Sequence, residues 1–88
     1  MTRTIWKYTL PAPNNLVAIP GVDAQILSVQ MQGDWPRMWV LVDPNAEKHE
    51  RAFIVVGTGH QVPSDAIYCG TFQDDVFVGH VFEIGKKP

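Results

Sequence analysis

Cysteine, long apolar runs and basic charge are all scarce in this 88-residue sequence. A single cysteine, Cys69, excludes an intramolecular disulfide and therefore the small secreted scaffolds that depend on several of them. No segment approaches the roughly 20 apolar residues of a membrane span, and the first residues lack the apolar core of a secretory signal. A formal net charge of −2 removes the positive field that attracts polymeric nucleic acid. We therefore expect a cytoplasmic protein that binds neither nucleic acid polymers nor membranes.

Helical periodicity is missing as well. No stretch has the apolar spacing of an amphipathic helix, and turn-forming residues recur about every ten residues. With 45% hydrophobic and 18% charged residues, the composition is that of a globular chain with one modest core. The sequence predicts a single all-β domain over residues 1–88. Its expected architecture is a small antiparallel β-sandwich or partly open barrel of about six to seven strands, with at most one short helical turn.

Runs of alternating or continuous apolar residues mark where the strands lie. The predicted strands cover residues 4–10, 16–19, 25–32, 38–42, 52–56, 67–73 and 76–84. The fourth strand is apolar without interruption, which is typical of a strand covered on both faces. The dense charges of residues 47–51 predict a solvated loop before the fifth strand.

Alternation within a strand also predicts which side chains point into the core. In the third strand, Leu27, Val29 and Met31 are expected to share the core face. In the sixth strand, Tyr68 and Phe72 are expected to share a face.

The last strand carries a histidine among apolar residues. His80 falls on the same face as Val78 and Phe82, and we expect that face to be buried. A buried imidazole needs a hydrogen-bond partner. The sequence therefore predicts a core His80 that is bound by a backbone carbonyl or by Tyr8.

Seven segments and their spacing are distinctive: IWKY at residues 5–8, LSVQ at 27–30, WVLVDP at 39–44, RAF at 51–53, GTGH at 57–60, YCGTF at 68–72 and HVFE at 80–83. In these segments the chain resembles a family of small proteins of unassigned function that are encoded by phages and prophages. The resemblance implies a viral accessory gene and no particular activity. Such accessory proteins often disable host defence, either by blocking a defence complex or by sequestering the nucleotide messenger that activates it.

Two glycines around a threonine form the most distinctive segment. Gly57-Thr58-Gly59 follows a predicted strand and precedes His60, so its backbone N–H groups could point into a concavity that binds phosphate oxygens. The Thr58 hydroxyl would be a further donor. The alternative is a corner that needs glycine only for its backbone conformation. The segment lacks the lysine and the longer glycine spacing of a phosphate-binding P-loop.

Four further residues could complete a ligand site at this corner. His60 could donate to an anion or stack on a base, or it could simply be exposed. Trp6 could stack on a base or pack in the core, and Lys7 and Arg51 could neutralise phosphates or be ordinary surface charges. With His80, these interpretations define one predicted site for a small anionic, nucleotide-like ligand: Gly57, Thr58, Gly59, His60, His80, Trp6, Lys7 and Arg51.

Catalytic and metal-binding alternatives are weaker. His60 and His80 have no obvious third ligand for zinc unless Cys69 joins them. Cys69 lies in the middle of an apolar strand, where thiols are usually inert, and no carboxylate is clearly placed as a base for a histidine-dependent hydrolase. We predict no enzymatic activity, no catalytic residues, no metal and no cofactor.

Trp35 suggests a different function. It lies in a predicted turn, residues 33–36, where a tryptophan is hard to bury and can anchor an interface. The partner would be a second copy of the chain, giving a homo-oligomer, or a host protein. Two functions therefore remain open: sequestration of a small anionic ligand, and inhibition of a host defence complex, as anti-CRISPR proteins do, with no small ligand.

Overall fold

Seven antiparallel strands in two sheets make up this chain, whose computed structural model describes residues 2–85. The first residue and the last three of the predicted domain lie outside the described residues. The strands are β1 (Thr4–Thr9), β2 (Asn14–Pro20), β3 (Gln25–Gln32), β4 (Trp35–Val42), β5 (Lys48–Gly57), β6 (Ile67–Asp74) and β7 (Phe77–Ile84). Residues 2–85 contain no helix that is long and apolar enough to span a membrane.

The two sheets pack face to face as a sandwich. A three-stranded sheet has the order β1-β4-β3, and a four-stranded sheet has the order β2-β5-β7-β6. Strands β3 and β6 face each other across the sandwich. The core between the sheets consists of Leu10, Ile19, Val29, Met38, Val40, Val42, Phe53, Phe72 and Val81. The predicted all-β fold is confirmed, as a sandwich and not as a closed barrel.

Strand β4 is buried on one face. Met38, Val40 and Val42 are fully buried against the other sheet. Trp39 and Leu41 alternate with them, point to the outer side and are partly exposed. The expectation that this strand is covered on both faces is therefore wrong, because the sandwich has two layers and an apolar outer face remains.

A β-bulge changes the facing of β3. The pairing with β4 shifts between Ile26 and Ser28, so Leu27 is the extra residue. Ile26 packs against the core, whereas Leu27 is 43% exposed. Val29 and Met31 face inward as predicted, but the inward position of Leu27 is wrong, since simple alternation does not hold across a bulge.

A second bulge does the same in β6. The register with β7 shifts between Tyr68 and Gly70, and the intervening Cys69 packs against the core. Phe72 is buried while Tyr68 is 58% exposed. The two aromatic residues do not share a face, and the predicted alternation is wrong for this strand.

Strand β7 faces the opposite way from the prediction. Val81 is fully buried and pairs with Val55 of β5, which also packs against the core. His80 therefore lies on the outer face of the four-stranded sheet, and its predicted core position is wrong. Both faces of this strand carry apolar residues, so alternation alone did not decide between them. The pairing of β7 with β5 determines which face of β7 is buried.

Strand β5 begins before the predicted boundary. Lys48–Arg51 pairs with Val17–Pro20 of β2, so the predicted solvated loop over residues 47–51 is wrong. Strand β2 is also longer than predicted and lies at an edge of its sheet. Charged side chains are tolerated here because Lys48 and Glu50 both remain exposed.

Gly79 is essential for contact between neighbouring strands. It is buried on the core side of β7, directly opposite Phe72 of β6. A Cβ atom at this position would overlap the Phe72 ring, at 2.7 Å from Cε2. Real Cβ contacts are essentially never this short, so the absence of a side chain allows the phenyl ring to fill the core.

We expect Gly79→Ala to lower the free energy of unfolding by about 2 kcal/mol, because overpacking a core costs roughly 1–3 kcal/mol. Urea unfolding measures the effect. In a Phe72→Leu background the same change should cost clearly less, since the smaller side chain leaves room. Equal costs in the two backgrounds would contradict the proposed overlap.

Candidate binding site

The glycine corner is a tight turn. The His60 N–H donates to the Gly57 carbonyl oxygen at 3.2 Å, which closes a four-residue turn. Gly59, its third residue, has φ +94°, the left-handed conformation that type II turns require at that position. Gly59 is therefore needed for its backbone conformation, and the Gly57 carbonyl and the His60 N–H are hydrogen-bonded to each other within the turn.

Gly57 has a different role. A Cβ here would lie 3.3 Å from Cδ2 of His60 and 3.2 Å from Cε1 of Phe77. The missing side chain lets the imidazole of His60 and the ring of Phe77 approach the end of β5. His60 itself is exposed.

A chain of hydrogen bonds crosses the outer face of the four-stranded sheet beside this turn. His80 Nε2 is 2.9 Å from the Thr58 hydroxyl oxygen, and His80 Nδ1 is 3.0 Å from that of Thr71. Thr71 in turn bonds the Tyr68 hydroxyl at 2.5 Å. Hydroxyl groups therefore occupy both ring nitrogens of His80, in place of the expected backbone carbonyl or Tyr8. The Tyr8 hydroxyl is buried without a hydrogen-bond partner among residues 2–85.

A shallow cavity of about 410 Å³ opens at the corner. Its walls are formed by Gly57, Thr58, His60, Val76, Phe77 and Val78. These lining residues include no lysine or arginine. The turn that joins β6 to β7 carries Asp74 and Asp75 immediately before Val76. A bound phosphate would therefore meet negative charge nearby and, among residues 2–85, no permanent positive charge in the cavity wall.

Arg51 forms its hydrogen bonds away from the Gly57 corner. Its Nε and Nη2 each donate to a carboxylate oxygen of Glu83 at 2.8 Å, and its Nη1 donates to the Ala24 carbonyl at 2.8 Å. The hydrogen bond to Glu83 is the largest cause that raises the pKa of Arg51. Arg51 also lies six residues from Gly57 along β5, which is about 20 Å in an extended strand. It stabilises the far end of the sandwich and does not reach the corner.

We expect Glu83→Gln to lower the free energy of unfolding by about 1–2 kcal/mol, because hydrogen bonds to charged groups contribute about 1.5–3 kcal/mol and this pair is partly solvated. The two side chains are 18% and 22% exposed. Glu50→Gln, on an exposed residue of β5, should change stability by less than about 0.5 kcal/mol. Similar urea midpoints for wild type and Glu83→Gln would exclude this role of the ion pair.

Trp6 and Lys7 belong to the other sheet. Trp6 packs partly buried against the core, and Lys7 points outward, where its Nζ donates to Gln32 Oε1 at 2.6 Å. The eight predicted residues thus do not form one site. Gly57, Thr58, Gly59, His60 and His80 lie together, whereas Arg51, Trp6 and Lys7 are elsewhere. Their roles in ligand binding stay predictions.

Cys69 is a poor candidate nucleophile. Burial, and to a smaller extent the nearby Glu83 carboxylate, raise the pKa of its thiol to about 11. Its Sγ donates to the Ile67 carbonyl oxygen at 3.6 Å. At neutral pH the thiol is therefore protonated. Within the described part of the chain, residues 2–85, no three His, Cys, Asp or Glu side chains are grouped so that they could hold a metal ion.

We expect iodoacetamide to alkylate Cys69 at pH 8 at least about tenfold more slowly in the folded protein than in the urea-unfolded chain, because only the thiolate reacts. A raised pKa disfavours the thiolate at every pH below it, so the difference should shrink as the pH approaches 11. Mass spectrometry of the quenched reaction gives both rates. Equal rates would show that the folded environment does not suppress the thiolate.

A second cavity, of about 340 Å³, lies at the end of the sandwich near Trp35. We call it the Trp35 cleft. Trp35 and Phe77 are each 46% exposed. The lining residues are mostly aromatic, aliphatic or proline, with two carboxylates: Leu10, Pro11, Ala12, Pro13, Met31, Asp34, Trp35, Pro36, Val55, Phe72, Asp74 and Phe77.

Two backbone hydrogen bonds assemble the cleft from distant segments. The Leu10 N–H donates to the Pro36 carbonyl at 3.0 Å, and the Val55 N–H donates to the Pro13 carbonyl at 2.9 Å. They hold the β1–β2 connection against both sheets. The sequence indicated Trp35 but not Phe77 or the two carboxylates, because these residues meet only through long-range contacts.

A family model matches the whole chain. The family is described as a domain of unknown function (DUF7352), and the match covers residues 1–88. No curated protein and no solved structure matches the chain. The comparisons therefore provide membership of a family and no function for either cavity.

Proposed function

Because the chain belongs to the DUF7352 family, a domain of unknown function, we propose a function from its surfaces: it is a non-catalytic protein that binds a segment of a partner polypeptide in the Trp35 cleft. The resemblance to phage-encoded proteins suggests a host defence protein as the partner and inhibition as the outcome. The cleft is the observation that carries this proposal.

Half-exposed aromatic side chains support binding of a polypeptide. Trp35 and Phe77 are each 46% exposed and line the same cavity. Aromatic residues dominate interface energetics because they bury a large area at a low entropy cost. Three prolines, Pro11, Pro13 and Pro36, also line the cleft and limit its conformational freedom.

The charges of the Trp35 cleft indicate which side chains a bound polypeptide segment should carry. Asp34 and Asp74 are exposed and line the cleft, and the lining residues include no lysine or arginine. An apolar segment that carries a cation satisfies both the apolar walls and the carboxylates. Arginine fits best, since its guanidinium stacks on aromatic rings and pairs with carboxylates in a bidentate geometry.

The size of the cleft limits the contact. A cavity of about 340 Å³ is at the lower end of ligand-binding pockets, which span roughly 300–1,000 Å³. It accommodates a few side chains of an extended segment. A short peptide should therefore bind weakly, and a complete partner would gain affinity from the surrounding surface.

Sequestration of a small anionic ligand remains the competing hypothesis. The corner cavity of about 410 Å³, with Thr58 and His60 in its wall, is the observation in its favour. The lack of a cation among its lining residues and the nearby Asp74 and Asp75 disfavour it. We therefore rank the partner-protein function first.

Calorimetry with two short peptides tests the first function. We expect acetyl-Leu-Pro-Arg-Leu-Pro-amide to bind at least about tenfold more tightly than its glutamate counterpart, a difference of about 1.4 kcal/mol. Trp35→Ala should abolish binding, Asp34→Asn with Asp74→Asn should remove the preference for arginine, and His60→Ala should have no effect. Equal binding of the two peptides, or loss only with His60→Ala, would refute the proposal.

The competing function has its own measurement. Titration with cyclic dinucleotides, cyclic trinucleotides and ADP-ribose derivatives should give no binding if the Trp35 cleft is the functional surface. Binding of one of them that is lost in His60→Ala and retained in Trp35→Ala would instead establish the corner as the site.

A further inference from the structure

Apolar side chains form a patch on part of the outer face of the four-stranded sheet. We call Leu16, Ile54, Tyr68, Phe82 and Ile84 the outer patch. Leu16 is 63% exposed and Tyr68 is 58% exposed, while the other three are partly exposed. Strand register places them in two adjacent rows across all four strands, Leu16-Ala52-Ile84 and Asn14-Ile54-Phe82-Tyr68. The Tyr68 and Phe82 rings pack edge to face at 5.6 Å between centroids.

These two rows contain no charged residue. The nearest charge along β5 on the same face is Glu50, two residues before Ala52. An apolar depression of about 360 Å³ lies within the same area, with Leu16, Ala52, Ile54 and Ile84 in its wall. Two identical surfaces can meet here without opposing like charges.

The other broad surfaces do not suit a second copy. The outer face of the three-stranded sheet carries two cations, Lys7 and Arg37, which bond Gln32 and Thr9 respectively and have no carboxylate partner among residues 2–85. Two copies of that face would oppose positive charges. Two copies of the Trp35 cleft would oppose Asp34 and Asp74. Of these three surfaces, only the outer patch has no charged residue, and it is therefore the best candidate for self-association.

The area of the face is sufficient for a weak dimer. Four strands about 4.8 Å apart and about eight residues long, at roughly 3.3 Å per residue, give a face of about 500 Å². A pair that buries this whole face, that is, the outer patch together with the neighbouring rows of Glu50 and His80, removes about 1,000 Å² from solvent, which is the lower limit for a specific interface. Association should therefore depend on concentration within the micromolar range.

For the four-stranded sheet, edge pairing is less favourable than contact through its face. At one edge of the sheet, β2 ends in Pro20, which has no N–H to donate. At the other edge, the bulge at Cys69 interrupts the ladder of β6. Both features weaken the addition of a strand from another chain, whereas the face between them is unobstructed.

We propose that two copies of this chain associate face to face through the outer patch about a two-fold axis. Packing of sheet on sheet is the geometry by which β-sandwiches bury such faces. None of the five residues of the outer patch lines the Trp35 cleft. The dimer therefore presents two clefts, and a partner with two suitable segments would bind with increased avidity. This association does not depend on the function proposed for the cleft.

Sedimentation equilibrium of the full chain tests the proposal, from low micromolar to several hundred micromolar concentration. The wild type should shift from the mass of one chain towards two. Leu16→Glu should remain at the mass of one chain throughout, because it places a charge in the neutral rows. Leu27→Glu is the matched control, since Leu27 is 43% exposed on the other sheet, and it should associate as the wild type does.

Tyr68→Glu provides a second variant in the outer patch, and circular dichroism of each variant verifies that it is folded. A wild type that keeps the mass of one chain at every concentration would overturn the proposal. So would a mass that grows beyond two chains, or association that is lost in Leu27→Glu and kept in both folded patch variants.

Discussion

The pairing of β5 with β7 determines the rest of this structure. It sets Val81 opposite Val55 in the core and leaves His80 on the outer face. The same register brings Glu83 beside Phe53, within reach of Arg51, and puts Gly79 under the Phe72 ring. A slip of one residue would reverse every one of these positions, because successive side chains of a strand point to opposite faces.

This register separates the two ends of the sandwich. At one end, Arg51 joins β5 to β7 through Glu83 and to the start of β3 through the Ala24 carbonyl. The Arg51 guanidinium nitrogens all donate hydrogen bonds, to Glu83 and Ala24, and these contacts stabilise this end of the sandwich. At the other end, Trp35 and Phe77 remain half exposed and line the Trp35 cleft. Exposed apolar side chains line a cavity there and adjoin one another on the outer patch, and contiguous exposed apolar surface is where binding is expected.

The sequence was sufficient to predict the fold class and the approximate position of each strand. Alternation succeeded where one face is polar, as around Val29 and Met31, which pack inward. It failed where a bulge inserts a residue, as at Leu27, and where both faces are apolar, as around His80. Bulges and strand pairing depend on residues distant in the sequence, and a single strand pattern does not contain that information.

The binding surface was harder to predict. Glycine spacing drew attention to Gly57 and Gly59, where the structure has a turn with an internal hydrogen bond. Trp35 was predicted to be an interface residue because of its place in a predicted turn, but it is the first residue of β4. The residues that line the cleft with it include the β1–β2 connection and Phe77 of β7. No local pattern links Pro13 to Phe77. The connection becomes visible only when the sandwich is assembled.

The central claim is that binding occurs at the Trp35 cleft and not at the Gly57 corner. Amide and indole chemical shifts in two-dimensional NMR, followed during titration with the arginine peptide, locate the contact directly. Binding in the Trp35 cleft predicts shifts concentrated at the Trp35 indole and at the amides of Leu10, Ala12 and Asp74. Shifts confined to Thr58, Gly59, His60 and His80, with the Trp35 indole unchanged, would contradict it.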